Sequence, residues 1–290
     1  MYSELRKIYL ANAFAGLSTV ASVVGTLYFL RSGITQTQIG QLAAIFMISM
    51  SIFNIPTGAF ADIFGHKTSV VLGLFFHAIH GLIFYAFPSF PGMIIGMLSA
   101  GLGLALQTGA WSSLTYELLK KYRKESMLTE VTGKASAYFA MTAIIGSLIG
   151  GPIFKWSPDI PYLVFFVCIG LSGVTASFIK SEKRRSRPSW DMLHKITLEG
   201  IKYTIANRKL VGLIFVTLAM TTGRMMLNQN ISQPYQLSIG VDIAFIGVTA
   251  AIIQLIQMGV SAWTYKIADK IGYENSLILS VITPAIAVFL

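Results

Sequence analysis

The charged residues of this 290-residue chain are few and bunched, and the stretches between them are apolar and about 20 residues long. That spacing constrains the fold more than any other feature. A bilayer core about 30 Å thick is crossed by a helix of about 20 apolar residues. Nine stretches qualify: 7–30, 37–61, 69–87, 92–117, 134–154, 161–179, 210–234, 243–265 and 275–290. Each must be helical, because lipid offers no partner to a backbone N–H or C=O. The fold class that follows is an all-α polytopic membrane protein. Composition agrees, with 54% apolar and 12% charged residues, against about 25% charged in soluble domains.

A net charge of +10 could indicate nucleic acid, but the charges follow topology. The N-terminus and the even-numbered connections hold 19 of the 22 basic residues, while Arg31 and Lys155 lie on the other side and Arg224 lies inside a span. The positive-inside rule places the N-terminus and the 180–209 connection in the cytoplasm of a cell-membrane protein. The partners this implies are the lipid bilayer and a small-molecule substrate, with no nucleic acid. Cys168 is the single cysteine, so no disulfide framework is possible. The first apolar run is too long for a cleavable signal.

The chain also repeats itself. At a constant offset of 207, residues 28–65 and 235–272 share twelve identities over 38 positions. Among them are Ile39-Gly40 with Ile246-Gly247, Ala43-Ala44-Ile45 with Ala250-Ala251-Ile252, and Ala61-Asp62 with Ala268-Asp269. Membrane chains that repeat a whole half are built from two pseudo-symmetric bundles. Spans seven to nine then match one to three. The expected division is 1–180 as a six-helix bundle, 181–208 as a cytoplasmic linker with an amphipathic helix over 190–201, and 209–290 as a partial second bundle. The basic run from Lys183 to Arg187 suits a topology anchor or an anionic lipid surface. Partners for spans four to six are absent, so the sequence reads as a truncated form or a fragment of a twelve-helix protein. Thr35 and Asp242 occupy matching places and are expected to cap spans two and eight.

One local motif stands out: Gly58-Ala59-Phe60-Ala61-Asp62-Ile63-Phe64-Gly65-His66-Lys67, at the end of span two. With the halves and the charge topology, it resembles the loop signature of the major facilitator superfamily. Gly58, Ala61, Asp62, Gly65 and Lys67 match that signature, while Ile63 and His66 replace basic residues. Asp269 and Gly272 form a degenerate second copy. Span four ends in Thr115-Tyr116-Glu117, similar to a stretch whose acid meets the loop motif in bacterial members. The resemblance implies the MFS-type fold, a six-helix N-terminal bundle plus the first three helices of the C-terminal bundle. It also implies a cytoplasmic gate at Gly58, Asp62, Gly65, Lys67, Glu117, Asp269 and Gly272. Gly146 to Pro152 partly resembles a glycine-proline motif of antiporters, and also reads as close helix packing.

Arg224 lies near the middle of span seven, where an ionisable residue is a functional hypothesis by default. Thr217, Thr221, Arg224 and Asn228 share one helical face. Either this stripe lines a cavity, or Arg224 is satisfied by carbonyls or snorkels outward. The resemblance makes spans one, four and seven cavity-lining, which adds Asn12, Thr19, Gln107 and Trp111. His77 and His80 read as structural or proton-carrying, and Gln254 and Gln257 as interhelical bonders. No phosphate loop, metal-ligand cluster or nucleophile constellation is present, so neither a cofactor nor an enzymatic reaction is implied. The reading is a secondary transporter of a small organic molecule by alternating access, coupled to an ion such as a proton, with efflux favoured. Uptake of a sugar or anionic metabolite, and a non-transporting membrane sensor, are the alternatives.

Overall fold

The computed structural model describes residues 1–180, 202–212, 216 and 232–256. Arg224, Thr217, Thr221, Asn228, Gln257, Asp269, Gly272, the 190–201 segment and the ninth span lie outside the described residues.

Eleven α-helices carry the described core. They are α1 (Tyr2–Leu17), α2 (Thr19–Ser22), α3 (Gly25–Arg31), α4 (Gln36–Phe64), α5 (His66–Ala86), α6 (Phe90–Gln107), α7 (Ala110–Lys121), α8 (Leu128–Trp156), α9 (Ile160–Ser177), α10 (Gln233–Ser238) and α11 (Ile243–Ile256). Short helical turns fill 202–206 and 208–212. Five long apolar spans are evident, and the bent run from α1 to α3 makes a sixth. They correspond to the first six apolar stretches. Their outer faces carry Phe75, Ile95, Val167, Leu171 and Val174, all well exposed. Such faces suit lipid rather than water.

Two spans are broken where periodicity alone gives one helix. The first bends by 43°. Ser18, Thr19 and Ser22 each turn a hydroxyl back to the carbonyl three residues earlier, at 2.7, 3.0 and 3.0 Å. Such bonds compete with the helical ladder. The fourth span breaks between α6 and α7 at Gly109, whose φ of 75° lies in the left-handed region that only glycine adopts freely. The fifth span starts earlier than expected, at Leu128. Lys134 offsets the charge of Glu130 one turn away at 2.7 Å, so the polar stretch extends the helix.

The bundle is held by small residues and hydroxyls. α5 packs on α6 and α9, α1 on α8 and α9, and α4 on α6. Ser69 donates to the Leu106 carbonyl at 2.7 Å, Ser99 to Phe76 at 2.7 Å, and Ser172 to Ala11 at 2.8 Å. Hydroxyl-to-carbonyl bonds of this kind join helices where no hydrophobic force acts between them. At the N-terminal end, Lys7 donates to the Phe178 carbonyl at 2.7 Å and Glu4 accepts from Lys180 N at 2.8 Å. These bonds tie the start of α1 to the end of α9.

The repeat is visible as matched local structure. Gly33 and Gly240 have φ of 77° and 88°. Ile34 N bonds to Phe29 O, and Val241 N to Gln236 O, each at 3.0 Å. Thr35 then caps α4 in a capping box with Gln38. Asp242 accepts from Ala244 N at 2.9 Å at the start of α11. Both cap expectations hold, and the turn between the first two spans recurs 207 residues on.

Candidate functional site: the junction between the halves

The two halves meet at the end of the bundle opposite the N-terminus, around the break in the first span. A continuous helix would bond Thr26 N to the Ser22 carbonyl. Here the amide of Gln233, from α10, stands between them. Its Oε1 accepts from Thr26 N at 2.9 Å and from Leu27 N at 3.3 Å, and its Nε2 donates to Ser22 O at 3.2 Å. One side chain of the second half thus satisfies the orphan groups of a broken helix in the first, which any helix end must satisfy somewhere. Gln233 is 7% exposed. It stands 207 residues after Thr26, the repeat offset, so it meets its own symmetry mate.

Around this plug the contact is close and partly polar. α8 of the first half runs against α11 of the second. Gln254 donates to Ser147 Oγ at 2.8 Å, as expected for an interhelical bonder. A Cβ on Gly247 would collide with the Ser147 carbonyl, and one on Gly151 would stand 2.5 Å from the Ile243 carbonyl. At the rim, Lys155 Nζ lies 2.8 Å from Asp242 Oδ2. The Lys155 ammonium and the Ala244 N–H hold the Asp242 carboxyl below its ordinary value. Lys155, on the side poor in basic residues, thereby pairs with the capping acid.

The loop motif sits at the other end. Asp62 is in the last turn of α4, and Gly65 makes the turn into α5. Glu117 Oε1 approaches Nδ1 of the buried His66 at 3.3 Å. That pair is within ion-pair range, although Nδ1 lacks hydrogen-bond geometry to any described partner. His66 therefore holds a place at the acid where the family signature has a basic residue. No described residue comes within 4 Å of a Cβ built on Gly58, so close packing there is not its role among the described residues. Lys67 is half-buried at the start of α5.

The residues expected to line a cavity on spans one and four are all half-buried. Asn12 donates to the Ile8 carbonyl at 2.9 Å, and Gln107 to Gly103 at 3.1 Å. Thr19 bridges to the Ala143 carbonyl of α8 at 2.8 Å. Trp111 packs on the apolar core. Gln233, which sequence reasoning passed over, reaches across to the break in the first span. Its one sequence signal was position, since it is the offset mate of Thr26 at the far end of the repeat.

A family model described as Major Facilitator Superfamily matches residues 8–290. The chain belongs to the Major Facilitator Superfamily. It is 28% identical over 216 residues to the uncharacterized MFS-type transporter YxaM of Bacillus subtilis, covering 72% of this chain and 52% of that protein. It is 22% identical over 266 residues to the uncharacterized MFS-type transporter MJ1560 of Methanocaldococcus jannaschii, covering 89% of this chain and 66% of the relative. The chain thus spans between about half and two thirds of these relatives. Among solved structures it is similar to the nucleoside transporter NupG, with TM-score 0.75, 12% identity, and 94% of this chain on 69% of the other. A D-xylose-proton symporter gives TM-score 0.60, 15% identity, and 93% on 69%. At these identities the likeness speaks to the fold, which is the MFS fold. Membership and the six apolar spans make the chain a multi-pass membrane protein.

Proposed function

We propose that the chain forms part of a secondary active transporter that moves a small organic molecule across the cell membrane by alternating access. In this reading residues 1–180 and 209–290 are the two rocking units, 181–208 links them, and the N-terminus is cytoplasmic. The observation that carries the proposal is the junction at Gln233. Two stretches related by a 207-residue sequence repeat meet there through a handful of polar bonds and small-residue contacts. Such a junction can close one mouth and part to open it, as rocking about a midplane site requires. The state described is the one closed at the end opposite the N-terminus.

The loop motif serves the opposite gate, with His66 facing Glu117 and Asp62 at the same end. The approach of His66 to Glu117 at 3.3 Å supports a gate at this end and favours transport over the sensor reading. Coupling to a proton gradient is the proposed energy source. The D-xylose-proton symporter among the fold neighbours supports this, and the nucleoside and xylose transporters there support a small polar solute. Arg224 and its stripe remain the proposed substrate contacts in span seven. Export is the direction the glycine-proline motif points to. In the structure Gly146 and Gly150 approach the backbone of α1 and α2, and Gly151 that of α11, so packing accounts for these glycines. Direction is decided by assay.

The test is flux. The protein is reconstituted into liposomes, given a mixture of small metabolites, and studied with a proton gradient of either sign. Uptake or loss of a defined solute, dependent on protein and gradient, is the expected result. No protein-dependent flux of any solute with either gradient would overturn the reading.

A further inference from the structure

A half-open pocket of about 210 Å³ lies in the first half beside the junction. Most of its wall is apolar, from Phe29, Phe46, Met97 and Leu104 among others. The polar exceptions are Ser22, Thr26, His77, His80, Tyr162 and Gln233. Among the described residues, no Asp, Glu, Lys or Arg lines it. Membrane-embedded polar side chains seldom go without a partner, yet Nδ1 of His80 is buried and finds none among the described residues. The rings around it form a box. His80 meets Phe84 edge to face at 4.3 Å and Phe165 at 5.2 Å, and stacks on His77 at 6.0 Å.

These features select a ligand. Among the described residues a charged molecule would meet no counter-charge, and its entry would carry a large desolvation cost. An imidazole hydrogen bonds as donor or acceptor while neutral, so one polar group on the ligand is enough. Aromatic edges and faces favour a flat ring. The volume exceeds the roughly 150 Å³ of an apolar cavity that takes benzene, which leaves room for a bicyclic ring. One stretch of wall has a further consequence. Gln233 comes from the second half, so parting of the halves would take it out of the wall.

We propose that this cavity binds a neutral, ring-bearing molecule with one hydrogen-bonding group, of the indole or phenol class, and that its occupancy holds the junction closed. A ligand that touches both halves binds the closed state more tightly than the open one. It shifts the equilibrium by the ratio of those two affinities. The coupling rests on the proposal that the junction parts during transport; the site itself does not.

Indole is the probe, added to the full chain in nanodiscs and followed by equilibrium dialysis. Binding should saturate in the native protein and vanish in Ala43→Trp, which fills the cavity from α4. His80→Phe keeps a ring and removes the polar group. It should weaken indole at least tenfold and leave naphthalene, which has no N–H, within about twofold. Spin labels at Arg31 and Ser238, one in each half at the closed end, should show a narrower, shorter distance distribution with indole. Non-saturating uptake, or equal indole binding in the native protein and both variants, would overturn the site. Saturable binding with unchanged label distances would overturn the coupling. Absence of transport in the flux assay leaves the dialysis readable, so failure of the functional reading and failure of the site are distinguishable.

Discussion

Replacing Gln233 by Ala removes three hydrogen bonds between the halves: from Thr26 N, from Leu27 N and to the Ser22 carbonyl. Hydrogen bonds between membrane helices average about 0.6 kcal/mol each, so the three together contribute about 2 kcal/mol. Leaving two buried N–H groups unsatisfied costs more, about 1–3 kcal/mol per group. Water entering the break, or re-formation of the Thr26–Ser22 bond, returns part of that. The lower figure is the safer basis. At 1.36 kcal/mol per tenfold change, about 2 kcal/mol moves the balance between closed and parted junctions about 30-fold. The assay is pulsed dipolar spectroscopy on labels at Arg31 and Ser238, with Cys168→Ser as background. In the native sequence the short distance should dominate. In Gln233→Ala the long population should rise by at least tenfold relative to the short one. Gln233→Leu, of similar size but unable to bond, should behave as Ala does. Distance distributions unchanged in both variants would refute the argument that this amide latches the halves.

Gly247→Ala places a methyl against the Ser147 carbonyl, so it should part the same labels while leaving helicity unchanged in circular dichroism. At the opposite gate, Glu117→Gln and Asp62→Asn should each lower flux several-fold without loss of membrane insertion, and His66→Lys should retain flux better than His66→Ala. The Asp242–Lys155 clamp has a defined pH sense. The Asp242 carboxyl is held below its ordinary value by Lys155 and the Ala244 N–H. Its contribution is therefore complete above the ordinary carboxylate range and is lost as pH falls through the lowered value. Label distances should be the same at pH 7 and pH 5 and lengthen only below that range. A change between 7 and 5 would require another titrating group.

How far the sequence reaches depends on what kind of residue carries the information. Apolar length and charge placement specify the six spans of the first half, because lipid permits helices alone. The caps at Thr35 and Asp242 are legible for the same local reason. The bend of the first span is less so. Its signal is the cluster Ser18, Thr19 and Ser22, which hydropathy averages away inside an apolar run. The partners of the polar residues on spans one and four were not legible: Asn12 and Gln107 bond to their own helices and Thr19 to a neighbour. A hydroxyl or amide in lipid takes whatever carbonyl is nearest, and sequence spacing does not say which. Gln233 was hidden because the repeat was read through identities, and the pair it forms with Thr26 is not one. Symmetry marks that position by register rather than by residue type.

The central claim is that the halves part at this junction in every transport cycle. The direct measurement replaces Lys155 and Asp242 by cysteine, bridges them with a short, reducible bis-methanethiosulfonate linker, and follows flux of the solute found in the liposome assay. The account predicts that the bridged protein stops transporting and that reduction restores the rate of the unbridged double variant. Undiminished flux through a fully bridged protein would contradict it.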